Sequence, residues 1–221
     1  HHARQAAAGV VDPPDVESTL NDVAENLARI REHGQRADGI INAMLMHARD
    51  RRGEPVAVDF NAMLVEHANL AYHGFRAADR TLTVELVKSI DPEIGHVMVP
   101  YQELARVIVN LVSNACHAMR QRQRTGEQGY RPQLRLATRR RGPLIELTIA
   151  DNGTGIPQDV RRRIFDPFFT TKPPGEGTGL GLSLSYEIIV KELGGSIDVE
   201  STVGEGATFV VRVPAPQAQR E

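Results

Sequence analysis

Apolar or small residues recur at Val16, Leu20, Val23, Leu27, Ile30, Gly34, Ala37, Ile41, Met44 and Ala48, in steps that alternate four and three. That heptad seam predicts one long helix over residues 15–52, stopped by Gly53-Glu54-Pro55. Such a stripe must be buried on its own domain or against a second helix, and its length favours a dimerisation or bundle helix. Beyond residue 55 the pattern changes. Val56–Asp59 reads as a short strand, and Asp59 caps a helix through about Ala78 with Phe60, Leu64, Ala68 and Ala71 facing inward. Thr81–Val87 alternates as a strand, His96–Val99 is another, and residues 101–120 carry an apolar face of Leu104, Val107, Ile108, Leu111, Val112 and Ala115. After a polar loop at 121–131, strands are expected at Gln133–Thr138 and Leu144–Ala150. A helix follows at Leu180–Leu193, then strands at Ser196–Glu200 and Thr208–Val213. The whole reads as an α+β domain over residues 55–214, with a leader or tag remnant at 1–14 and a tail at 215–221.

Composition removes several classes of function. A net charge of -2 from 26 basic and 28 acidic residues excludes nucleic-acid binding driven by bulk positive charge. One cysteine, Cys116, excludes an intramolecular disulfide framework. No apolar run reaches the ~18 residues of a membrane helix, so no membrane contact by this chain is expected. A cytoplasmic location is expected, within a parent that can itself be membrane-anchored.

Four segments carry chemistry. Asn110 and Asn114 lie one turn apart on the helix of residues 101–120, with His117 on nearly the same face. An amide carbonyl is a hard oxygen donor suited to Mg²⁺. Asp151-Asn152-Gly153-Thr154-Gly155-Ile156 follows an apolar strand. A carboxylate at a strand end can accept from the exocyclic amino group of adenine, and the glycines let the backbone approach a flat ring. In Ile164–Phe169, three of the six phenylalanines crowd together beside a loop rich in Gly and Pro, as in an aromatic-anchored lid or a core plug. Gly175–Leu182 alternates glycines ahead of a helix and reads as a phosphate cradle or a hinge. Its spacing matches neither a Rossmann nor a P-loop motif.

In this order the segments resemble the N, G1, F and G2 boxes of the catalytic and ATP-binding domain of two-component sensor histidine kinases. Those kinases are Bergerat-fold ATPases related to gyrase B, Hsp90 and MutL. The resemblance implies an α/β sandwich, a mixed sheet with helices on one face, preceded here by one long dimerisation-type helix. It implies ATP and Mg²⁺ as cofactors, with Asn114 on the metal and Asp151 on the adenine. Asn110, His117, Gly153, Gly155, Ile156, Phe168, Lys172, Gly177, Thr178, Gly179, Leu180, Gly181 and, as a looser match, Thr208 complete the ATP-binding set. The hydrolytic relatives carry a water-activating Glu where this chain has Asn110, and an amide has no useful basicity. Transfer to a protein group is therefore favoured. Residues 15–52 resemble only the second helix of a phosphotransfer hairpin, so no phosphoacceptor histidine is expected in this chain; neither His33 nor His47 has both the adjacent acid and the following Pro of the acceptor pattern. The expected partners are a response regulator receiver domain and a second copy through residues 15–52. A non-catalytic ATP-binding scaffold and an anti-sigma-type Ser/Thr kinase are the alternatives.

Overall fold

The computed structural model describes residues 18–23, 25–27, 34, 53–173 and 177–216. The leader at 1–14, most of the heptad seam, Gly175 and the end of the tail lie outside the described residues. The chain divides into two units: residues 1–49 with 171–178, and residues 50–170 with 179–221. In the first, residues 18–23, 25–27 and 34 are helical. Leu20, Val23 and Leu27 of the seam are exposed.

The second unit is built on helix α1 (Phe60–Ala78) and helix α2 (Tyr101–Arg124). The Asp59 carboxylate accepts from the Ala62 N–H at 2.9 Å and starts α1 as the sequence predicts. Phe60, Met63, Leu64, Ala68 and Ala71 are buried along one stripe. The stripe of α2 runs Leu104, Val107, Ile108, Leu111, Val112, Ala115 and Met119, all buried. Helix α2 continues four residues past the expected end at 120. Arg122 and Arg124 occupy its last turn, where cations oppose the helix dipole favourably.

Strands β1 (Val56–Asp59) and β3 (His96–Val99) pair antiparallel as a small sheet. The main sheet contains β2 (Glu85–Ser89), β4 (Gln133–Arg141), β5 (Leu144–Asp151), β6 (Ser196–Thr202) and β7 (Gly206–Pro214). Their order is β2-β4-β5-β7-β6; β2 runs parallel to β4 and the other neighbours are antiparallel. Leu134, Leu136, Ile145, Leu147, Ile149, Ala207, Phe209, Val211 and Val213 alternate onto one buried face. The other face is polar: Arg212 bridges Glu146 at 2.8 Å and Asp198 at 2.6 Å. This is the mixed sheet with helices on one face that the resemblance implies.

Besides shifts of a few residues at element ends and the short added helix at Gln158–Arg161, two elements differ from the sequence reading. The second strand begins at Glu85, not Thr81, because the Thr81 N–H and hydroxyl turn back to the Asp79 carboxylate. Leu82 is then a fully buried plug outside the sheet. The helix expected over Leu180–Leu193 is α-helical only in α4 (Gly181–Tyr186), after the short α3 (Gln158–Arg161); Glu187–Glu192 forms a π-helix. Ile188 and Ile189 are both buried in this wider turn.

Candidate functional site

Helix α2 places Asn110, Asn114 and His117 beside its buried stripe, each half-buried. The Asn110 amide donates to the Gly181 carbonyl at 3.2 Å, which also accepts from the Ser185 hydroxyl at 2.9 Å. Asn110 thus ties α2 to the first residue of α4. The His117 ring stands edge-on to Phe75, and its Nδ1 lies 3.2 Å from Arg120 Nη2. A guanidinium only donates, so Nδ1 accepts and the neutral ring carries its proton on Nε2.

Asp151 closes β5. Its carboxylate accepts from the Gly153 N–H at 2.8 Å and from the Ala207 N–H. Burial pushes its pKa up from 3.8 to about 6, and the two N–H bonds oppose that rise. The carboxylate faces α2, where burial and then the Asp151 charge push the Cys116 thiol up to about 12. Cys116 is therefore an unreactive core residue.

The turn after Asp151 is packed too tightly for side chains. A Cβ on Gly153 would lie 2.6 Å from the backbone of Ala118 on α2. Gly155 has φ +70°, and a Cβ there would fall 2.1 Å from the Thr202 carbonyl. The Ile156 N–H donates to the Ser201 hydroxyl at 2.8 Å, which in turn donates to the Gly206 carbonyl at 2.7 Å. Ser201 and Ala207 were not legible as site residues. Ser201 sits on β6, far along the chain from the turn it holds.

Thr208 stands differently from the sequence reading. Strand alternation puts it, opposite Ala150, on the polar face of the sheet, while Ala207 pairs with Asp151 on the helix-facing side. The side chain next to the carboxylate is Ala207, one residue before the expected Thr.

The phenylalanine segment divides its work. Phe165 packs on the Tyr186 ring at 5.4 Å, and the Arg163 guanidinium lies 4.4 Å from the Phe169 ring centroid. Phe168 is 54% exposed with φ 65°, rare for a non-glycine residue. A Cβ on Gly179, itself at φ +69°, would lie 2.3 Å from the Phe168 carbonyl carbon. The loop is thus pinched where it leaves and re-enters the fold, and Leu180 and Gly181 lead from the pinch into α4. Lys172, Gly177 and Thr178 belong to the first unit. Among the described residues no three His, Cys, Asp or Glu side chains cluster as a metal site.

A one-sided mixed sheet, an Asn-bearing helix and a half-buried strand-end carboxylate define a nucleotide-binding domain of the Bergerat class. The family of histidine kinase-, DNA gyrase B-, and HSP90-like ATPases matches residues 101–217, and the chain belongs to that family. Its curated relatives are sensor kinases. Sensor protein FixL of Bradyrhizobium diazoefficiens is 33% identical over 96% of this chain and 39% of its own. The sensory histidine kinase/phosphatase NtrB of Rhizobium leguminosarum is 32% identical over 90% of this chain and 51% of its own. Sensor kinase CckA of Brucella abortus is 33% identical over 86% of this chain, which spans only 20% of that relative. Among solved structures, the nucleotide-free catalytic domain of histidine kinase ThkA superposes with a TM-score of 0.59 at 27% identity. That match covers 73% of this chain and 95% of the other. The chain carries the ATP-binding domain of a sensor histidine kinase.

Proposed function

We propose that this chain binds Mg-ATP and transfers the γ-phosphate to a histidine on an upstream helix, for relay to an aspartate of a response regulator. The observation that carries the reading is the Asp151 carboxylate, half-buried and turned towards the helix that holds Asn110, Asn114 and His117. Asp151 accepts from the adenine amino group. Gly153 and Gly155 let the turn pack closely on Ala118 and Thr202 behind the base, Ile156 continues that wall, and Asn114 offers its carbonyl to the metal. His117 offers Nε2–H to phosphate oxygens, and Lys172 adds a cation from the loop. Gly177, Thr178, Gly179, Leu180 and Gly181 form the phosphate side of the loop. When bound, Mg²⁺ supplies charge neutralisation on the phosphates. Asn110 cannot take a proton from water, so the residues position the phosphates rather than activate a hydrolytic nucleophile.

Residues 15–52 are read as the second helix of a dimerisation and phosphotransfer hairpin, and residues 55–214 as the catalytic domain. The exposure of Leu20, Val23 and Leu27 supports a partner helix for the seam. The names of the relatives, among them a two-component sensor, PprA of Pseudomonas aeruginosa, support a response-regulator partner.

The test is phosphotransfer in trans. Labelled Mg-ATP is added to this chain together with a longer version of the protein that contains the upstream helix and carries Asn114→Ala. An acid-labile, alkali-stable phosphate on the longer chain is expected. ATP binding with no transfer overturns the kinase reading in favour of a scaffold.

A further inference from the structure

Asn152, which follows the adenine-facing Asp151, is bonded at nearly every polar atom. Its Oδ1 accepts from the Gln133 N–H at 2.8 Å and from the Tyr130 hydroxyl at 3.1 Å. Its Nδ2 donates to the Arg131 carbonyl at 2.8 Å, and its backbone N–H donates to the Gln133 carbonyl at 3.3 Å. Its backbone carbonyl accepts from Arg122 Nη1 at 2.9 Å. That carbonyl belongs to the peptide joining Asn152 to Gly153, whose N–H holds the Asp151 carboxylate.

Arg122 is itself fixed. Its Nε and Nη2 fork onto the two Glu127 carboxylate oxygens at 2.8 and 3.0 Å, and its guanidinium lies 4.7 Å from the Tyr130 ring centroid. Only 19% of its side chain is exposed. A bidentate Arg–carboxylate pair stacked on an aromatic ring has one geometry, unlike a lone surface pair. Burial pushes the Tyr130 hydroxyl up to about 12, so it stays a donor to Asn152 at every working pH.

Arg122 leaves the last turn of α2, the helix that carries Asn110, Asn114 and His117. Eight residues separate Asn114 from Arg122, about 12 Å of rigid helix. Both ends of the proposed ATP site therefore hang on one helix: the phosphate side directly, the base side through the Arg122–Asn152 bond.

We propose that Arg122, locked by Glu127 and Tyr130, is a positioning residue for nucleobase selection, holding the Asp151-Asn152-Gly153 turn at a fixed distance from the phosphate-side amides. The inference rests on the reading that Asp151 receives the base. An adenine amino group offers a donor where guanine offers a carbonyl, so a turn free to shift by a fraction of an ångström loses discrimination before it loses binding.

Calorimetric titration of Mg-ATP and Mg-GTP is made on the full chain, Arg122→Lys, Glu127→Gln and Asp151→Asn, at pH 5 to 8. Lysine keeps the charge but not the fork. For Arg122→Lys the ATP affinity is expected to fall about tenfold, with GTP changed less. The pH midpoint of ATP binding is also expected to drop towards the ordinary carboxylate range as water reaches Asp151. General loosening of the fold would instead weaken ATP and GTP binding alike and lower the urea unfolding midpoint. Glu127 is 49% exposed, so Glu127→Gln keeps the fold and shows the same two shifts at smaller size if Arg122→Lys fails to fold. Unchanged base preference and midpoint in both variants, with preference lost in Asp151→Asn, overturns the positioning role alone. Preference retained in Asp151→Asn overturns the base reading and this inference with it.

Discussion

Replacing Asp151 by Asn should make the nucleotide-free chain more stable at pH 8 and weaken its grip on ATP. The carboxylate pKa is raised from 3.8 to about 6, so the folded chain binds this proton more tightly than the unfolded chain. The favourable contribution of the protonated group is fully present below 3.8 and is lost as the pH rises through about 6. A shift of about two units corresponds to about 3 kcal/mol of destabilisation once the group is ionised. Asn carries no charge to desolvate, but its neutral carbonyl is a weaker acceptor than a carboxylate for the Gly153 and Ala207 N–H groups, a loss of about 1 kcal/mol. The variant should therefore be about 2 kcal/mol more stable than the parent chain at pH 8 and slightly less stable at pH 4. Urea unfolding of both proteins at pH 4 to 8, without nucleotide, measures the gap. A gap that does not change with pH would show that the carboxylate titrates normally, and would refute the buried-acceptor argument. ATP affinity should run the other way: below pH 6 it should fall up to tenfold per pH unit in the parent chain and stay level in the variant.

Three further outcomes follow from the same geometry. Gly179→Ala places a methyl against the Phe168 backbone at a positive φ, and should lower stability by about 2–4 kcal/mol. Thermal unfolding within 1 °C of the parent would contradict the pinch. Ser201→Ala leaves the Ile156 N–H and the Gly206 carbonyl without their shared hydroxyl, and should cost about 1–3 kcal/mol, read as a lower urea midpoint. Asn114→Ala should make ATP affinity the same with Mg²⁺ as with a chelator present, whereas retained Mg²⁺ dependence would remove Asn114 from the metal.

How much of this was legible depended on whether a signal was local. Helix α1 was readable to the residue because its cap, Asp59, and its stripe lie together in the chain. The place of Asp151 at the end of β5 was readable because an apolar run ends in an acid followed by alternating glycines. The start of β2 was not, because Thr81 turns back to Asp79 through a side-chain bond that competes with strand pairing. The π-helix was hidden because Ile188 and Ile189 look apolar in any register. The choice between Ala207 and Thr208 hung on a one-residue register across β5 and β7, which exchanges the two faces of a strand. The Arg122, Tyr130 and Asn152 cluster unites three separate segments, and none of them carries a motif that points to the others.

Asn110 shows how one side chain can answer two demands. The resemblance to gyrase B and its relatives makes this position the one where hydrolytic enzymes carry a water-activating Glu. In this fold the residue must also donate to the Gly181 carbonyl, where the Ser185 hydroxyl already donates. A carboxylate would face that carbonyl with a second acceptor, and the contact would turn from a bond into a repulsion beside the entry to α4. An amide makes the bond and has no basicity to offer water. The anchoring of the loop's return and the lack of a hydrolytic base are thus two results of one NH₂ group. On the proposed function both results serve one end: α4 is tied to α2 at its first residue, and the amide at position 110 takes no proton from water.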